Sequence, residues 1–429
     1  MFDKRTIAAS LRTEAAKREF HLLYGGTERT AAEQADRYEA LLTTYAEHFG
    51  CEGEAPAFFS SPGRTEIVGN HTDHNNGLVL AAAVTLDTLA AAAPTGDGII
   101  TLYSQGYDKP FVVDTRDLEK KEAEKNTTDA LIRGVCRKLH DMGYAIGGFN
   151  AAVTSRVLSG SGLSSSAAFE VLLVCILDGL YNGSILDGVT RAKISQWVEN
   201  NYFGKPSGLM DQSACSIGGL VGIDFKYADP KIGAYSFDFA ARGFSLVVLA
   251  TNSSHDDLTD EYAAIPREMR AVAEALGGKV LRDVKVEQLL ERLPEVRQKT
   301  SDRAVLRALH YYDENERVRA MYTALENGDL DAFLDNVIRS GESSWKLLQN
   351  LYVGGSTEQS LALACALSER MLRGSGAWRV HGGGFAGTIL AFVPHYKLAA
   401  YVEKMNAVFG AGACTVLDIR PVGAKKVEL

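Results

Sequence analysis

Leu158-Ser159-Gly160-Ser161-Gly162-Leu163-Ser164-Ser165-Ser166-Ala167-Ala168 runs straight into an apolar segment with helical spacing that reaches residue 180. Gly160 and Gly162 permit positive φ and let backbone come close to a ligand. The helix behind them leaves its first N–H groups unpaired and aims its positive dipole end at the loop, which together attract phosphate. Three successive hydroxyls add donors, and one of them can ligate Mg2+. A bare Gly-x-Gly would read more simply as a flexible linker before a Ser N-cap. The Ser-Ser-Ser-Ala-Ala ending shifts the reading to a phosphate loop. It is not of the G-x-x-x-x-G-K-S/T type, because no Lys follows the glycines, and the third Gly of a dinucleotide fingerprint is missing.

Working outward, residues 1–50 read as helical, with Tyr38, Leu41, Leu42, Tyr45 and Phe49 at helical spacing. Residues 57–59 read as a short strand, 61–63 as a turn, and 78–89 as an apolar β-branched run. Strands are expected at 99–103, 110–114, 148–155, 244–250 and 414–419, and a strand, Gly-rich loop, strand at 378–393. Helices are expected at 128–142, 191–201, through most of 262–350, and at 401–409. Strands cluster rather than alternate with helices, which predicts α+β with mixed sheets and not a doubly wound parallel sheet. The chain has 429 residues, enough for two domains. The division is placed at 1–230 and 231–429, within a stretch near 224–244 that no Pro/Ser linker marks.

Net charge is −9, which argues against nucleic acid or an anionic membrane as partner. Six scattered cysteines without a C-x-x-C pair read as buried free thiols. With no apolar stretch behind the first charges and no membrane-length run, a cytoplasmic protein is expected. Oligomeric state is left open, a monomer being sufficient.

A second motif, Arg64-Thr65-Glu66-Ile67-Val68-Gly69-Asn70-His71-Thr72-Asp73-His74, sets polar groups between two apolar strand segments. Such groups beside a core are expected to serve a ligand. His71 and His74 lack a helix and a third soft ligand, so a zinc site is disfavoured. Carboxylate, amide and imidazole together suit sugar hydroxyls.

These motifs resemble those of the galactokinases, within the GHMP kinase superfamily. The second motif resembles G-R-x-N-L-I-G-E-H-T-D-Y, and the phosphate loop P-x-G-x-G-L-S-S-S-A, with Leu158 in place of Pro. Arg379-Val380-His381-Gly382-Gly383-Gly384-Phe385-Ala386-Gly387 resembles R-M-T-G-G-G-F-G-G, and Gly208-Leu209-Met210-Asp211-Gln212 resembles G-I-M-D-Q. The four stand in family order over residues 61–387. The resemblance implies a two-domain GHMP-kinase-like fold with the site in the cleft between domains. It also implies an ATP-dependent, Mg2+-requiring sugar-1-kinase for galactose; galacturonate or N-acetylhexosamine is the alternative substrate, and a non-catalytic sugar sensor a more distant one.

Asp211 is then expected to face the attacking hydroxyl, with Arg64 keeping it ionised. Ser166, with Ser165 as alternative, and Glu199 are the implied Mg2+ partners. Gly160, Ser161, Gly162, Leu163, Ser164, Ser165 and Ser166 are expected to hold ATP phosphates. Glu66, Asn70, His71, Asp73, Gly208 and Tyr262 are expected at the sugar. Three departures stand out. Asn70 occupies the usual Glu position while Glu66 occupies the usual Asn position, an exchange that leaves the carboxylate able to reach the same region. An amide at 70 would also tolerate a uronic acid better than a carboxylate does. His74 replaces Tyr, and the family's Trp-x-Asn-Tyr has no counterpart at residues 128–131.

Overall fold

The computed structural model describes residues 2–26, 28–157, 162–205, 207–251, 258–385 and 387–429. Three helices come first: α1 (Lys4–Ser10), α2 (Glu14–Tyr24) and α3 (Glu28–Phe49). The first sheet is built from β1 (Ala57–Val68), β2 (Leu78–Pro94), β3 (Ile99–Ser104), β4 (Phe111–Asp114), then, after helix α4 (Thr128–Asp141), β5 (Phe149–Ser155). Helices α5 (Ser165–Tyr181), α6 (Gly188–Val198) and α7 (Met210–Ile217) follow, and β6 (Leu220–Asp224) and β7 (Lys231–Tyr235) extend the sheet.

β2 organises this sheet because it is long and apolar on both faces. It pairs with β1 along one side; on the other, residues 78–82 pair with β6 and 88–94 with β5. All pairs are antiparallel except β3 with β5. The outer face carries α1–α3 through Phe20, Tyr38 and Leu42 packed on Phe58, Leu89 and Ala91. The inner face buries Ala167, Val171, Val174 and Ile176 of α5.

The segment 61–63, expected as a turn, is instead part of β1. Pro62 pairs with Asp87 while Arg64 pairs with Ala83, so the register slips there as a bulge. Bulges are where a strand tolerates a residue without N–H. The gap in β2 is stitched by the C-terminal segment, Thr85 N–H donating to Asp418 O at 3.0 Å and Arg420 N–H to Ala83 O at 3.0 Å.

The second sheet starts with β8 (Phe244–Ala250). A helical stretch follows: α8 (Thr259–Ala275), α9 (Val286–Glu291), α10 (Leu293–Lys299), α11 (Asp302–Asn327), α12 (Leu330–Ser343) and α13 (Ser360–Leu372). Then come β9 (Ala377–His381), β10 (Thr388–Pro394), α14 (His395–Phe409), β11 (Cys414–Leu417) and β12 (Lys425–Lys426). This sheet has the order β11-β8-β10-β9, while β12 returns to pair with β1. β7, beyond residue 230, also stays with the first sheet by pairing with β6. The first sheet therefore draws on both halves of the chain. The fold is α+β with two mixed or antiparallel sheets. The six cysteines form no disulfide, and among the described residues no helix is long and apolar enough to cross a membrane.

Candidate active site

β1 and β2 place Arg64 beside the start of α5. Arg64 Nε donates to Asp211 Oδ1 at 2.7 Å and Nη2 to Oδ2 at 2.8 Å, a two-pronged fork. Its third nitrogen, Nη1, donates to Gly162 O at 2.6 Å, and its backbone N–H donates to Leu163 O at 3.0 Å. One residue therefore ties the first turn of α7, which carries Asp211, to the phosphate loop. Ser164 Oγ donates to Asp211 Oδ2 as well. Ser164 sits at φ +57 and Gly162 at φ +74, the left-handed geometry that turns the chain into the helix.

Asp211 keeps 32% of its side chain exposed, so a substrate reaches it. Burial pushes its pKa up, yet the charge and fork of Arg64, with the Ser164 hydroxyl, hold it below the ordinary carboxylate value. Three of the roughly four lone-pair positions of a carboxylate are taken, which leaves room for one more donor on Oδ1.

Beside this group, Glu199 follows α6 in a five-residue π-helical stretch and is 2% exposed. Its Oε2 accepts from Gln212 Nε2 at 2.7 Å, and Lys205 Nζ lies 3.3 Å from Oε1. Glu170 of α5 is fully buried nearby, 3.5 Å from the same amide nitrogen. Glu170 Oε1 and Gln212 Oε1 are buried oxygens with no hydrogen-bond partner among the described residues. Orphaned oxygen donors next to a carboxylate suit a hard, oxygen-seeking cation.

A cavity of about 500 Å3 is lined by Ser165, Ser166, Tyr107, Asn126, Phe169 and Phe203 among others. Helix start, hydroxyls and aromatic rings meet there. Residues 128–131 contribute only Thr128 and Leu131.

The other motif is gripped from the C-terminal half. α11 presents Glu314, whose Oε1 accepts from the Gly69 and Asn70 N–H groups at 3.0 and 3.4 Å. Burial opposes its ionisation, but Arg317 and its other neighbours hold the pKa down at about 2. His310 bonds Asn70 O at 2.9 Å, and Tyr311 donates to Asn75 O at 2.9 Å. Three carbonyls of the Gly-rich turn are each taken by a side chain expected at the sugar. Asn70 Nδ2 donates to Gly382 O (2.6 Å), His71 Nε2 to Gly383 O (2.9 Å) and Tyr262 OH to Gly384 O (2.8 Å). Gly383 packs against the Tyr262 ring, where an added Cβ would come within 2.5 Å of Cε1.

Asn70 is 1% exposed and its amide is fully engaged. Besides Gly382 O it donates to Glu66 Oε1 at 2.9 Å, and its Oδ1 accepts from Asn350 at 2.8 Å. The direct sugar contact expected of Asn70 has no spare donor here. Asp73 and Gly208 do meet, a Cβ on Gly208 falling 3.5 Å from Asp73 Oδ2. His74 Nε2 lies 3.3 Å from His71 Nδ1. Since His71 Nε2 must carry its proton to bond Gly383 O, His74 is the donor in that pair. Gly160 and Ser161 lie outside the described residues.

The sequence reading missed Asn350, His310 and Glu314, and gave no role to Arg379 and Gln212, although both stand in the quoted motifs. A charged residue inside an apolar strand, as Arg379 is in β9, was the available signal.

Residues 43–94 match the galactokinase galactose-binding signature and residues 130–219 the N-terminal domain of GHMP kinases. The galactokinase of Streptomyces coelicolor is 32% identical over 380 residues, covering 87% of this chain and 94% of that relative. The chain belongs to the galactokinase family. Bos taurus galactokinase is 33% identical over 411 residues, 92% of this chain and 98% of its own length. The family fold is also that of Lactococcus lactis galactokinase complexed with galactose, with a TM-score of 0.76 at 24% identity over 91% of this chain and 100% of that chain.

Proposed function

We propose that this galactokinase-family chain transfers the γ-phosphoryl group of ATP to the anomeric hydroxyl of galactose. The observation that carries the reading is Asp211, held ionised by Arg64 and Ser164 at the mouth of a helix-start phosphate loop. Family membership on both the sugar and phosphate motifs supports the substrate pair.

In this reading the sugar C1 hydroxyl donates to the remaining position on Asp211 Oδ1. The hydroxyl oxygen attacks the γ-phosphorus, the bond to the β,γ-bridging oxygen breaks, ADP leaves, and the hydroxyl proton passes to Asp211. A carboxylate with a low pKa is adequate because phosphoryl transfer is loose, and the hydroxyl becomes strongly acidic only as its bond to phosphorus forms. Arg64 keeps the carboxylate charged, and its contact with Gly162 O holds nucleophile and phosphate loop in one frame. Backbone N–H groups at the start of α5 receive the phosphates, while the cavity bounded by Ser165, Ser166, Phe169 and Phe203 takes the nucleoside.

Glu199 and the Ser166 hydroxyl would hold Mg2+, with the orphaned oxygens of Glu170 and Gln212 beside Glu199 supporting a cation there, and the ion would neutralise β/γ-phosphate charge. The proposed units, 1–230 and 231–429, follow the two sheets only approximately, since β7 and β12 of the second unit pair within the first sheet. The six free thiols suit a cytoplasmic enzyme.

A coupled ADP-release assay over hexoses and uronic acids tests the reading. Turnover with galactose that requires divalent cation is expected. Turnover only with uronic acids, or with no sugar, overturns it.

A further inference from the structure

Glu199–Phe203 is a single π-helical stretch, so the carboxylate suited to a cation and a ring that lines the nucleoside cavity leave the same turn. Gly204 ends that turn at φ +89, and the N–H groups of Gly204 and Lys205 both donate to Glu199 O, at 2.9 and 3.1 Å. The backbone of residue 205 is thus tied back onto Glu199, and its side chain sets Nζ 3.3 Å from Glu199 Oε1. The cavity wall is fastened to the same turn, Asn126 N–H donating to Phe203 O at 3.1 Å. Gln212, next in the chain to Asp211, donates to Glu199 Oε2 at 2.7 Å. Lys205 therefore stands where a nucleotide would carry its phosphates from the cavity toward Asp211.

The ion pair it makes there is lopsided. Lys205 keeps 59% of its side chain exposed, Glu199 only 3%. An ammonium on a flexible, largely solvated stem gives up little on leaving such a pair. Lys205 also has to leave before Glu199 can ligate a cation through that oxygen, because two positive charges do not share one site. Arg64, by contrast, is spent at the transfer point, its three nitrogens engaged with Asp211 and Gly162 O. A γ-phosphoryl group carries more negative charge than one divalent cation cancels. Lys205 is near enough that its charge already favours the ionised form of Asp211.

We infer that Lys205 is a further catalytic residue, resting on Glu199 in the nucleotide-free chain and turning onto the γ-phosphoryl oxygens once that carboxylate is engaged by a cation. There its ammonium donates to non-bridging oxygens and balances the charge that spreads over them during transfer. It gives up no proton and takes none, so the hydroxyl proton still passes to Asp211. Until the nucleotide arrives, the same ammonium compensates a buried carboxylate that would otherwise stand without a counter-charge.

This inference rests on the kinase reading above. The experiment compares the full chain with Lys205→Met and Lys205→Arg. Calorimetry measures binding of ADP and of a non-hydrolysable ATP analogue with an imido β,γ-bridge, each with Mg2+, and a coupled ADP-release assay gives kcat and KM. Lys205→Met should weaken the analogue roughly tenfold or more, the size of a lost charged hydrogen bond, and ADP by no more than about twofold. Its kcat should fall at least about tenfold while the KM for galactose holds. Lys205→Arg, which keeps the charge, should retain part of both. Without nucleotide the effect reverses: the Mn2+ concentration that gives half the rise in melting temperature should drop about two- to fivefold, since no ammonium competes for Glu199. Lys205→Gln reads the same contrasts should the methionine variant not fold. Full kcat in Lys205→Met would mean that Lys205 only neutralises Glu199, a task the cation takes over, and overturns the inference. Equal weakening of ADP and the analogue overturns it too, and an unmoved Mn2+ midpoint overturns the resting position on Glu199. Absence of wild-type galactose turnover is a failure of the kinase reading itself, and the contrast between analogue and ADP then still decides on Lys205.

Discussion

Arg64 and Asp211, 147 positions apart in sequence, are joined by two parallel hydrogen bonds of 2.7 and 2.8 Å at the mouth of the phosphate loop. The fork keeps Asp211 ionised against its burial. Because the folded pKa lies below the ordinary value, the carboxylate stays charged down to acid pH, and the wild-type kcat/KM profile should show no limb from Asp211 above about pH 5. Arg64→Ala removes the charge that opposes burial, so an acid limb should move to higher pH. Arg64→Lys keeps charge but loses the planar fork and should lower kcat at least about tenfold. Asp211→Ala should lower kcat by roughly 10²–10⁴. A pH–rate profile unmoved in Arg64→Ala would show that the pair does not govern the site.

Gly162 fills a position that no side chain fits. Its φ is +74, and an added Cβ would stand 3.0 Å from His381 Nδ1 and 3.0 Å from Thr388 Oγ1. His381 cannot retreat, being fixed between Thr388 Oγ1 at 2.9 Å and Thr65 Oγ1 at 3.1 Å. Gly162→Ala therefore pays for left-handed backbone, about 1–2 kcal/mol, and also shifts the carbonyl that Arg64 holds. We expect lower kcat with only a modest fall in melting temperature; steady-state kinetics beside a thermal melt will separate the two.

The aromatic lining near Ser165 and Ser166 should act on the nucleotide alone. Phe203→Ala should raise the KM for ATP about two- to tenfold, the range of a lost ring contact, with little effect on the KM for galactose. Equal changes in both constants would remove Phe203 from the nucleotide pocket.

Much of this was legible because local chemistry and tertiary role coincide. Gly-x-Gly with Ser-Ser-Ser before an apolar run specifies a helix-start phosphate loop, and Ser164 and Gly162 do take left-handed conformations there. Strand β8 was readable from its apolar, β-branched run alone. The 61–63 segment misled because Pro-Gly signals a turn locally, while the pairing of β1 with β2 absorbs it as a bulge. Asn70 was harder still. Its amide is consumed by Gly382 and Asn350, partners about 300 positions away that no local pattern announces. The same holds for Arg379, whose partner is the Glu66 carboxylate.

Two buried histidines, His310 and His381, and the half-buried His74 give the stability a defined pH dependence. Burial pushes the pKa of His74 and of His310 down to about 4, and that of His381 to about 3, from 6.5. Each stays neutral in the fold while the unfolded chain binds its proton as pH drops through about 6.5. The unfolded state then holds more protons, so stability present above that pH is lost as pH falls toward the folded values. Each group adds at most about 1.4 kcal/mol per pH unit in that window. Urea midpoints between pH 7 and 4.5 should fall with pH, and His310→Asn should flatten the slope relative to the wild type.

The outer helices are fastened by one carboxylate. Asp87 of β2 is fully buried and accepts from Tyr24 OH at 2.7 Å and Arg37 Nη1 at 2.6 Å; Ser60 also donates to it, and Arg420 lies 3.8 Å away. Tyr24 and Arg37 come from α2 and α3, Ser60 from β1, and Arg420 from the C-terminal segment. Asp87→Ala leaves two buried guanidinium groups without their counter-charge, which should cost about 3–5 kcal/mol. Asp87→Asn keeps the shape but not the charge and should fall between. Burial tends to raise the Asp87 pKa, but Arg37 and Arg420 bring it below the ordinary value, so its contribution is present above the unfolded pKa and fades as pH falls through the folded one. Denaturant unfolding at pH 7 measures the loss. A cost within about 0.5 kcal/mol, the range of an ordinary surface substitution, would mean that the helices are held by Phe20, Tyr38 and Leu42 without help from the buried charge.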